Sequence, residues 1–340
     1  MNHRIILGDC INGMRTLDDQ CINTVVTSPP YFGLRDYGTA TWEGGDPSCD
    51  HVQIYANQVG VLSNHDQTKW HKLYQDICGK CGSSRKDQQI GQEQSPEEYV
   101  ERLVDVFREV KRILKNDGTL WLNLGDSYAG NNVRSGHKIK PKDLMGIPWR
   151  VAFALQSDGW YLRQDIIWHK PNPMPESVTD RCTKAHEYIF LMSKSDQYYY
   201  DSESIREESN GKWNSAKGFS DGGMRSKIGY LSAFGSQWNG TEGHADIDQT
   251  GRNKRSVWTV NTKPYTVAHF ATYPTKLIEP CILAGCPVGG TVFDPFTGSG
   301  TTGFVSLSHN RNFIGTELNP EYIKIAEQRL SAIQHRMELI

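Results

Sequence analysis

The chain has 340 residues, of which 37% are hydrophobic and 22% charged, with 32 glycines and 15 prolines. This composition is that of a globular protein with an apolar core, and it excludes a coiled coil, a collagen-like chain and a disordered tail. The formal net charge of −2 gives no overall basic field, so a nucleic-acid partner would have to be bound by local clusters of basic residues.

The sequence carries no clear targeting or membrane signal. The apolar run at residues 5–7 is too short for the apolar part of a signal peptide. No stretch reaches the ~20 apolar residues of a membrane span. We therefore expect a cytoplasmic protein without a membrane partner. Its eight cysteines then favour metal ligands or core thiols over disulfides.

The first part of the chain predicts alternating strands and helices. Strands are predicted at residues 4–7, 23–27 and 119–124 and near 164–168. Helices are predicted at residues 95–114, after a capping box that begins at Ser95, and at about 148–158. Such an alternation predicts a mainly parallel sheet.

Two polar segments interrupt this pattern. Residues 33–94 have little apolar periodicity and indicate a long insertion, and residues 202–256 are polar and rich in glycine and serine. The chain then ends in two strand–helix units, with strands predicted at residues 291–294 and 312–317.

The clearest ligand-binding signal lies near the end of the chain. Gly298, Gly300 and Gly303 have the spacing G-x-G-x-x-G between a predicted strand and a predicted helix, and Glu317 ends the next predicted strand. Glycines let the backbone approach a ligand closely, a helix N-terminus offers unpaired amides, and a carboxylate accepts hydrogen bonds from ribose hydroxyls. The pattern predicts a site for an adenosine-bearing cofactor, with a purely structural turn as the alternative.

Asp294 discriminates between adenosine-bearing cofactors. Its carboxylate comes directly before the glycine-rich turn, where the pyrophosphate of NAD would have to lie. A carboxylate repels a pyrophosphate and attracts the ammonium of S-adenosylmethionine. We therefore expect S-adenosylmethionine as the cofactor.

A second motif, Ser28-Pro29-Pro30-Tyr31, ends the strand predicted at residues 23–27. The Ser28 hydroxyl and the Pro29 carbonyl can accept hydrogen bonds from one exocyclic amino group, and the prolines hold both acceptors rigid. Such a pair directs the lone pair of the amine toward an electrophile, and Tyr31 can stack on the ring that bears the amine. The alternative is an ordinary loop.

These two motifs together carry a resemblance to a known family. Residues 294–300, Asp-Pro-Phe-Thr-Gly-Ser-Gly, and Ser28-Pro29-Pro30-Tyr31 resemble the cofactor and catalytic motifs of the bacterial and phage amino-methylating DNA methyltransferases, which modify cytosine N4 or adenine N6. The order of the motifs resembles the β group of that family. Segments 6–10, 122–128, 167–171 and 269–274 are similar to further motifs of the family.

The resemblance implies a fold. We expect an α/β protein with the mainly parallel, seven-stranded sheet of the class I S-adenosylmethionine-dependent (Rossmann-like) methyltransferases, circularly permuted so that the cofactor half comes last. Residues 1–32 and 95–201 would form the catalytic half, and 257–340 the cofactor half. Residues 33–94 would be a zinc-knuckle insertion and 202–256 a target-recognition insertion.

The resemblance also implies roles for single residues. Ser28 to Tyr31 would hold the target amine, and Glu317 would bind the ribose. The expected cofactor-binding residues are Asp9, Phe270, Pro274, Asp294, Phe296, Gly298, Gly300 and Glu317. Asp9 could contact the cofactor or the base, and Asp126 could polarise Ser28 or bind the amine. For both aspartates the alternative is a cap on a following helix or turn.

The insertion at residues 33–94 has the spacing of a zinc site. Cys49 and His51 form one ligand pair, and Cys78 and Cys81 form the other as a tight knuckle. Such a set predicts a structural zinc ion, because all four positions are filled. His65 or His71 could replace His51. The remaining cysteines, which we expect to be small core residues, are Cys10, Cys21, Cys182, Cys281 and Cys286.

The expected partner is double-stranded DNA with the target nucleotide flipped into the site, and a cognate restriction endonuclease is a further candidate partner. The 202–256 region mixes donors with aromatic residues, namely Trp213, Arg225, Lys227, Trp238, Arg252, Lys254 and Arg255. A second basic cluster consists of Arg134, His137, Lys138, Lys140 and Lys142.

The resemblance also implies the methylated atom: Ser28 resembles the serine of the cytosine-N4 enzymes, whereas the adenine-N6 enzymes of the family more often carry aspartate or asparagine there. We therefore expect cytosine N4, with adenine N6 as the alternative, since some adenine enzymes of the family also carry serine. Three competing functions are also compatible with parts of the sequence. They are an RNA or protein-amide methyltransferase, an NAD-dependent oxidoreductase and a zinc-dependent DNA-binding module. The last of these leaves the paired cofactor and catalytic motifs without a role.

Overall fold

The computed structural model describes residues 1–33, 37, 39–49, 77–93, 95–129, 140–208, 251–262 and 273–337. Within them the strands are β1 (His3–Leu7), β2 (Ile22–Thr27), β3 (Thr41–Glu43), β4 (Ser84–Lys86), β5 (Leu114–Leu124), β6 (Tyr161–His169), β7 (His186–Ser193), β8 (Val257–Thr259), β9 (Thr291–Asp294) and β10 (Asn312–Glu317). The helices are α1 (Cys10–Met14), α2 (Pro96–Ile113), α3 (Ile147–Ser157), α4 (Thr275–Gly285), α5 (Thr301–Ser308) and α6 (Pro320–Met337).

Eight of these strands form one mixed, mainly parallel sheet in the order β1-β10-β9-β2-β5-β7-β6-β8. The first five strands of this order are parallel to one another, whereas β7 runs antiparallel to both β5 and β6. The late strands β9 and β10 lie between β1 and β2 in this order, and the circular permutation of the fold stays a prediction. The expected number of seven strands is wrong by one, because the three-residue strand β8 pairs with the edge of β6.

The strand β5 is longer than its sequence pattern predicts. Residues 116–118, Asn-Asp-Gly, have the pattern of a turn, yet they lie inside β5. The register explains this: Ile22 pairs with Leu114 and Thr24 pairs with Thr119, so residues 115–118 are accommodated as a bulge. Gly118 is required in the bulge, because a Cβ atom there would lie 2.5 Å from Leu114 Cγ.

Helix α2 begins where the capping box predicts. The Ser95 hydroxyl accepts a hydrogen bond of 3.2 Å from the amide of Glu98, and Pro96 occupies the first turn. Its apolar stripe is buried at Tyr99, Leu103, Val104, Val106, Phe107, Val110 and Ile113. This stripe packs in the main core, which α2 shares with α1, α3 and the central strands.

The sheet is covered on both faces. On β10, Ile314 packs against the core that contains α1, α2 and α3, while its neighbour Phe313 packs with Leu307 of α5 and Leu330 of α6 on the opposite face. This alternation follows from the two-residue period of a strand. No helix in the described part of the chain is both long and apolar enough to cross a membrane.

The chain divides into two units, Met1–Asp201 with Ser256–Ile340, and Ser202–Arg255. The described part of the smaller unit contains a 3-10 turn at Glu203–Ile205 and a bridge between Glu207 and Arg252. In the larger unit, the described ends of the 33–94 insertion form the antiparallel hairpin of β3 and β4. The proposed roles of these two insertions stay predictions.

Candidate active site

Four parallel strands, β1, β10, β9 and β2, bring their carboxyl ends to one edge of the sheet. Leu7 pairs with Glu317, so β1 and β10 end at the same level, and Asp294, the last residue of β9, pairs with Gly315, two residues before the end of β10. In sheets of this type ligands bind at that edge. The predicted cofactor turn and the predicted catalytic motif both leave the sheet there.

The glycine-rich turn after β9 has the backbone that its glycines predict. Gly298 (φ 52°) and Gly300 (φ 77°) are both left-handed, and Gly300 caps helix α5. A Cβ atom on Gly300 would lie 3.0 Å from the Cβ of Ala326, so close packing also requires glycine there. A Cβ on Gly298 would come no closer than 4.0 Å to Phe296 O. Among the described residues, the space beside Gly298 is therefore open to a ligand that approaches the backbone.

Glu317 lies beside this turn. Its Oε2 accepts a hydrogen bond of 2.8 Å from the Gly298 amide, and its Oε1 accepts one of 2.8 Å from the Asn319 amide. Burial raises the pKa of the Glu317 carboxyl above its ordinary value, although these two amides act in the opposite direction. Each carboxylate oxygen keeps a second lone pair, so Glu317 can hold the turn and still accept a hydrogen bond from a ribose hydroxyl.

Asp294 is 1% exposed and has four donors around it. Its Oδ1 accepts from Thr27 Oγ1 at 2.6 Å and from the Phe296 amide at 3.0 Å. Its Oδ2 accepts from Thr302 Oγ1 at 2.5 Å and from the Tyr273 hydroxyl at 3.1 Å. Burial raises the pKa of the Asp294 carboxyl despite these hydrogen bonds. In this structure Asp294 therefore joins β2, β9 and α5, and its contact with a cofactor ammonium stays a prediction.

The remaining residues predicted to bind cofactor lie around the same edge, as far as the structure describes them. Asp9 caps helix α1, since its Oδ1 accepts from the Asn12 amide at 3.0 Å, which is the alternative role that its position allows. Pro274 is buried and caps α4, while Phe296 is half-buried in the turn. Phe270 lies outside the described residues.

The predicted catalytic motif follows β2 as a loop whose main chain is hydrogen-bonded to neighbouring parts of the fold. Pro29 is buried, and the Pro30 carbonyl accepts a hydrogen bond of 2.8 Å from the Tyr99 hydroxyl of α2. Two residues after Tyr31, the Gly33 amide donates a hydrogen bond of 2.8 Å to the Gly91 carbonyl. The main chain of Ser28-Pro29-Pro30-Tyr31 is thus fixed by α2 and by the last residues of the 33–94 insertion.

Side chains of the motif enter a polar network that the sequence did not predict. The Tyr31 hydroxyl lies 2.8 Å from Glu187 Oε2, 3.2 Å from Asn123 Oδ1 and 3.4 Å from Ser28 Oγ. Lys170 Nζ forms an ion pair with Glu187 Oε1. Asn123 and Lys170 lie in segments that resemble family motifs, but Glu187 lies on β7, which the alternation of strands and helices did not reveal.

Asp126 follows β5 at the same edge of the sheet. Its Oδ1 accepts from the amide of Ser127 at 2.9 Å and from the amide of Ile147 at 3.1 Å, so it caps the start of α3. This is the alternative that its position allowed. A direct role of Asp126 with Ser28 or the amine stays a prediction.

Three of the four predicted metal ligands come together. The Sγ atoms of Cys49, Cys78 and Cys81 lie within 4.8 Å of one another, and those of Cys49 and Cys78 are 3.9 Å apart. Two thiolates bound to one zinc ion at about 2.3 Å would be about 3.8 Å apart in tetrahedral geometry. The proposed fourth ligand, His51, lies outside the described residues, as do His65 and His71.

The environment of Cys81 fits a metal thiolate. Hydrogen bonding from the Ser83 backbone lowers the pKa of the Cys81 thiol to about 6, with further contributions from the Asp46 backbone and Cys78. Gly45 packs against the knuckle so closely that a Cβ atom would lie 2.9 Å from Cys81 Sγ. The thiolate form that binds zinc is therefore favoured.

The other cysteines differ in their surroundings. Cys10, Cys281 and Cys286 are buried, and burial raises the pKa of Cys10 and of Cys286 to about 12, so their thiols are uncharged core groups. Cys21 is half-buried. Cys182 is exposed, so its prediction as a core residue is wrong: it lies in the surface segment before β7.

Four basic residues of the two predicted clusters form ion pairs in the described part of the chain. Arg252, Lys254 and Arg255 all lie within 3.7 Å of the Glu207 carboxylate in the smaller unit. Lys142 pairs with Asp180 at 2.8 Å. The remaining aromatic and basic residues of the two clusters, apart from Lys140, lie outside the described residues.

Comparisons with known proteins identify the family. The family model for DNA methylase, N6_N4_Mtase, matches residues 22–328. Type II methyltransferase M.Cfr9I of Citrobacter freundii is 41% identical, over 95% of this chain and 86% of that protein. Type II methyltransferase M.SmaI of Serratia marcescens is 40% identical, over 96% of this chain and 90% of that protein.

Solved structures share the fold. The cytosine-N4-specific PvuII DNA methyltransferase has a TM-score of 0.58 at 17% identity, over 99% of this chain and 92% of that chain. A putative DNA modification methylase of Thermus thermophilus, solved with S-adenosyl-L-methionine, has a TM-score of 0.55 at 19% identity, over 97% and 94%. The family model and the relatives are methyltransferases, so the predicted alternative of an NAD-dependent oxidoreductase is wrong. The chain belongs to the N6/N4 DNA methylase family, whose members are S-adenosylmethionine-dependent amino-methyltransferases.

Proposed function

We propose that the protein is a type II, site-specific methyltransferase that transfers the methyl group of S-adenosylmethionine to N4 of a cytosine flipped out of double-stranded DNA. One observation carries the proposal: Thr27 Oγ1, directly before Ser28, donates a 2.6 Å hydrogen bond to Asp294 Oδ1, directly before the cofactor turn. This bond holds the acceptors for the amine next to the residues expected to bind the cofactor. Relatives named type II methyltransferases support the same reading.

The chemistry follows from the acceptors at the end of β2. S-adenosylmethionine, when bound, supplies an electrophilic methyl group. The exocyclic amine of a base is a weak nucleophile because its lone pair is delocalised into the ring. Ser28 Oγ and the Pro29 carbonyl accept hydrogen bonds from the two N–H groups of the amine, so its lone pair is directed out of the ring plane. The fixed loop holds the amine close to the methyl group. The amine becomes acidic only after it is methylated, so no strong general base is required.

The choice of cytosine N4 rests on Ser28. In the family that the sequence resembles, serine at this position is found in cytosine-N4 enzymes, whereas adenine-N6 enzymes more often carry aspartate or asparagine. The alternative is adenine N6, which would use the same acceptors and the same geometry of attack.

The target atom is inaccessible inside a duplex, so the nucleotide has to leave the stack at a cost of a few kcal/mol. We propose that residues 202–256 read the DNA sequence and hold the distorted duplex.

We also propose that Cys49, Cys78 and Cys81, with His51 as the fourth ligand, bind a structural zinc ion that orders the 33–94 insertion. The S–S distances and the lowered pKa of Cys81 support this. A cognate restriction endonuclease is the partner that a type II methyltransferase implies.

The transfer step is tested by removing the hydroxyl acceptor. Purified protein and its Ser28→Ala variant are incubated with a long duplex DNA and methyl-labelled S-adenosylmethionine, and cofactor affinity is measured by calorimetry. We expect Ser28→Ala to lose most of the transfer to DNA and to keep the wild-type affinity for the cofactor. Wild-type protein that labels RNA or protein but not DNA would overturn the proposed substrate.

A further inference from the structure

Four side chains, those of Ser28, Tyr31, Glu187 and Lys170, form a continuous series of contacts that starts at the catalytic motif; we call this series the contact chain. Ser28 Oγ lies 3.4 Å from the Tyr31 hydroxyl, which lies 2.8 Å from Glu187 Oε2, and Glu187 Oε1 pairs with Lys170 Nζ. The first contact is long for two hydroxyls, as catalytic hydrogen bonds often are before the substrate binds. These contacts join the loop after β2 to the end of β6 and the start of β7.

The protons in this chain have one consistent arrangement. The Glu187 carboxylate, paired with the Lys170 ammonium, can only accept hydrogen bonds, and the Asn123 amide presents its oxygen to Tyr31 because its Nδ2 donates to Tyr188 O at 3.0 Å. The Tyr31 hydroxyl has a single proton and faces these two acceptors. It therefore donates to them, and it can only accept from Ser28. The Ser28 hydroxyl consequently donates to Tyr31, so its lone pairs are free to accept from the target amine.

The surroundings keep the arrangement rigid. The side chains of Lys170 and Glu187 are only 17% and 16% exposed, so solvent screens their attraction weakly. Lys170 Nζ lies 4.2 Å from the centre of the Trp168 ring, and a Cβ atom on Gly125 would lie 2.6 Å from Tyr31 Cε2. The Tyr31 ring therefore has close neighbours that fix the direction of its hydroxyl.

We infer that Glu187 is a positioning residue, which acts through Tyr31 to make the Ser28 hydroxyl an acceptor for the target amine. The inference rests on the proposed function. It gives a physical reason why the Ser28 hydroxyl suffices as an acceptor. The Glu187 carboxylate polarises the hydroxyls of Tyr31 and Ser28 toward itself, whereas a carboxylate or a carboxamide in place of Ser28 would accept without such help.

Single-turnover methylation of DNA tests the inference in three variants: Tyr31→Phe, Glu187→Gln and the double variant. Tyr31→Phe keeps the ring and removes the hydroxyl, and we expect the rate of methyl transfer to fall about 10- to 100-fold, with unchanged affinity for S-adenosylmethionine. Glu187→Gln is expected to lower the rate in the same range. Because both variants interrupt one chain, the double variant should be little slower than either single variant.

The matched controls are Tyr161→Phe and Glu97→Gln. Tyr161 is an exposed tyrosine of β6, and Glu97 forms an exposed ion pair with Arg150, so both should keep the wild-type rate. A further variant, Ser28→Asn, supplies a carboxamide oxygen that accepts without help. In that background, Tyr31→Phe should change the remaining rate less than about threefold, because the acceptor no longer depends on the Tyr31 hydroxyl.

Three results would overturn the inference while leaving the proposed function in place. These are a wild-type rate for Tyr31→Phe, additive losses in the double variant, and an equal loss from Tyr31→Phe in the Ser28→Asn background. A wild-type protein that transfers no methyl group to DNA would overturn the proposed function and the inference together.

Discussion

At the scale of single residues, Glu317 holds the glycine-rich turn through the Gly298 amide and is the predicted ribose-binding residue. We expect Glu317→Ala to weaken binding of S-adenosylmethionine about 10- to 100-fold, because a hydrogen bond to a charged acceptor is worth about 1.5–3 kcal/mol. Glu317→Gln keeps one acceptor oxygen and should have an intermediate effect. Calorimetry measures both affinities. Glu321→Ala, at an exposed carboxylate of α6, is the matched control. Unchanged affinity in Glu317→Ala would place the ribose elsewhere.

The same residue predicts a pH dependence of cofactor binding. Burial raises the pKa of the Glu317 carboxyl, so it becomes protonated at a higher pH than an ordinary glutamate. The ionised form is the better acceptor for a ribose hydroxyl. The affinity for S-adenosylmethionine should therefore fall as the pH falls through this raised pKa. Titration calorimetry across the acidic range checks this, and Glu317→Gln should remove most of the dependence.

At the scale of elements, the last residues of the 33–94 insertion support the catalytic loop. Gly91 has φ of +97°, and a Cβ atom there would lie 2.9 Å from Tyr31 O. We expect Gly91→Ala to displace the loop and to lower the rate of methyl transfer at least about tenfold, since small misplacements of reacting groups are costly. Gly289→Ala is the control, because Gly289 has φ of +78° with no atom within 4 Å of its Cβ position. Equal rates in the two variants would contradict this role of Gly91.

The knuckle in the same insertion predicts a bound metal. Protein purified without chelators should contain about one zinc ion per chain, and Cys78→Ser should remove it and loosen the insertion while the sheet stays folded. Cys182→Ser is the control, because Cys182 is an exposed thiol outside the cluster. Elemental analysis measures the metal. If elemental analysis finds no zinc in the wild-type protein, the proposal of a structural zinc ion is wrong.

How far the sequence predicts the elements depends on local signals. Helix α2 could be predicted because Ser95 and Pro96 mark its start and its apolar residues recur at helical spacing. Strand β7 could not, because it enters the sheet antiparallel between β5 and β6 without a helix before it, and the alternation of strands and helices carries no sign of such an insertion. Glu187 was missed for this reason, since its contact with Tyr31 depends on where β7 lies.

At the scale of the whole molecule, the site depends on residues far apart in the chain. Thr27 and Asp294 are hydrogen-bonded partners 267 residues apart, because β9 lies beside β2 in the sheet. Local patterns predicted both strands and both motifs. Their adjacency was implied by the resemblance to the family and is present in the sheet order. The internal hydrogen bonds of Asp294 could not be predicted, because they depend on the folded positions of their donors. For Asp9 and Asp126 the sequence left a cap open as one of two roles, and the donor amides that each carboxylate caps are given by the fold.

The most direct test of the account is nucleoside mass spectrometry of DNA from cells that express the protein. We predict N4-methylcytosine in DNA from cells with the wild-type chain and its loss in cells with the Ser28→Ala variant. N6-methyladenine in place of N4-methylcytosine would contradict the assignment of the base while leaving the attack geometry in place. If the DNA contains neither modified base although the protein binds S-adenosylmethionine, the claim that the protein methylates DNA is contradicted.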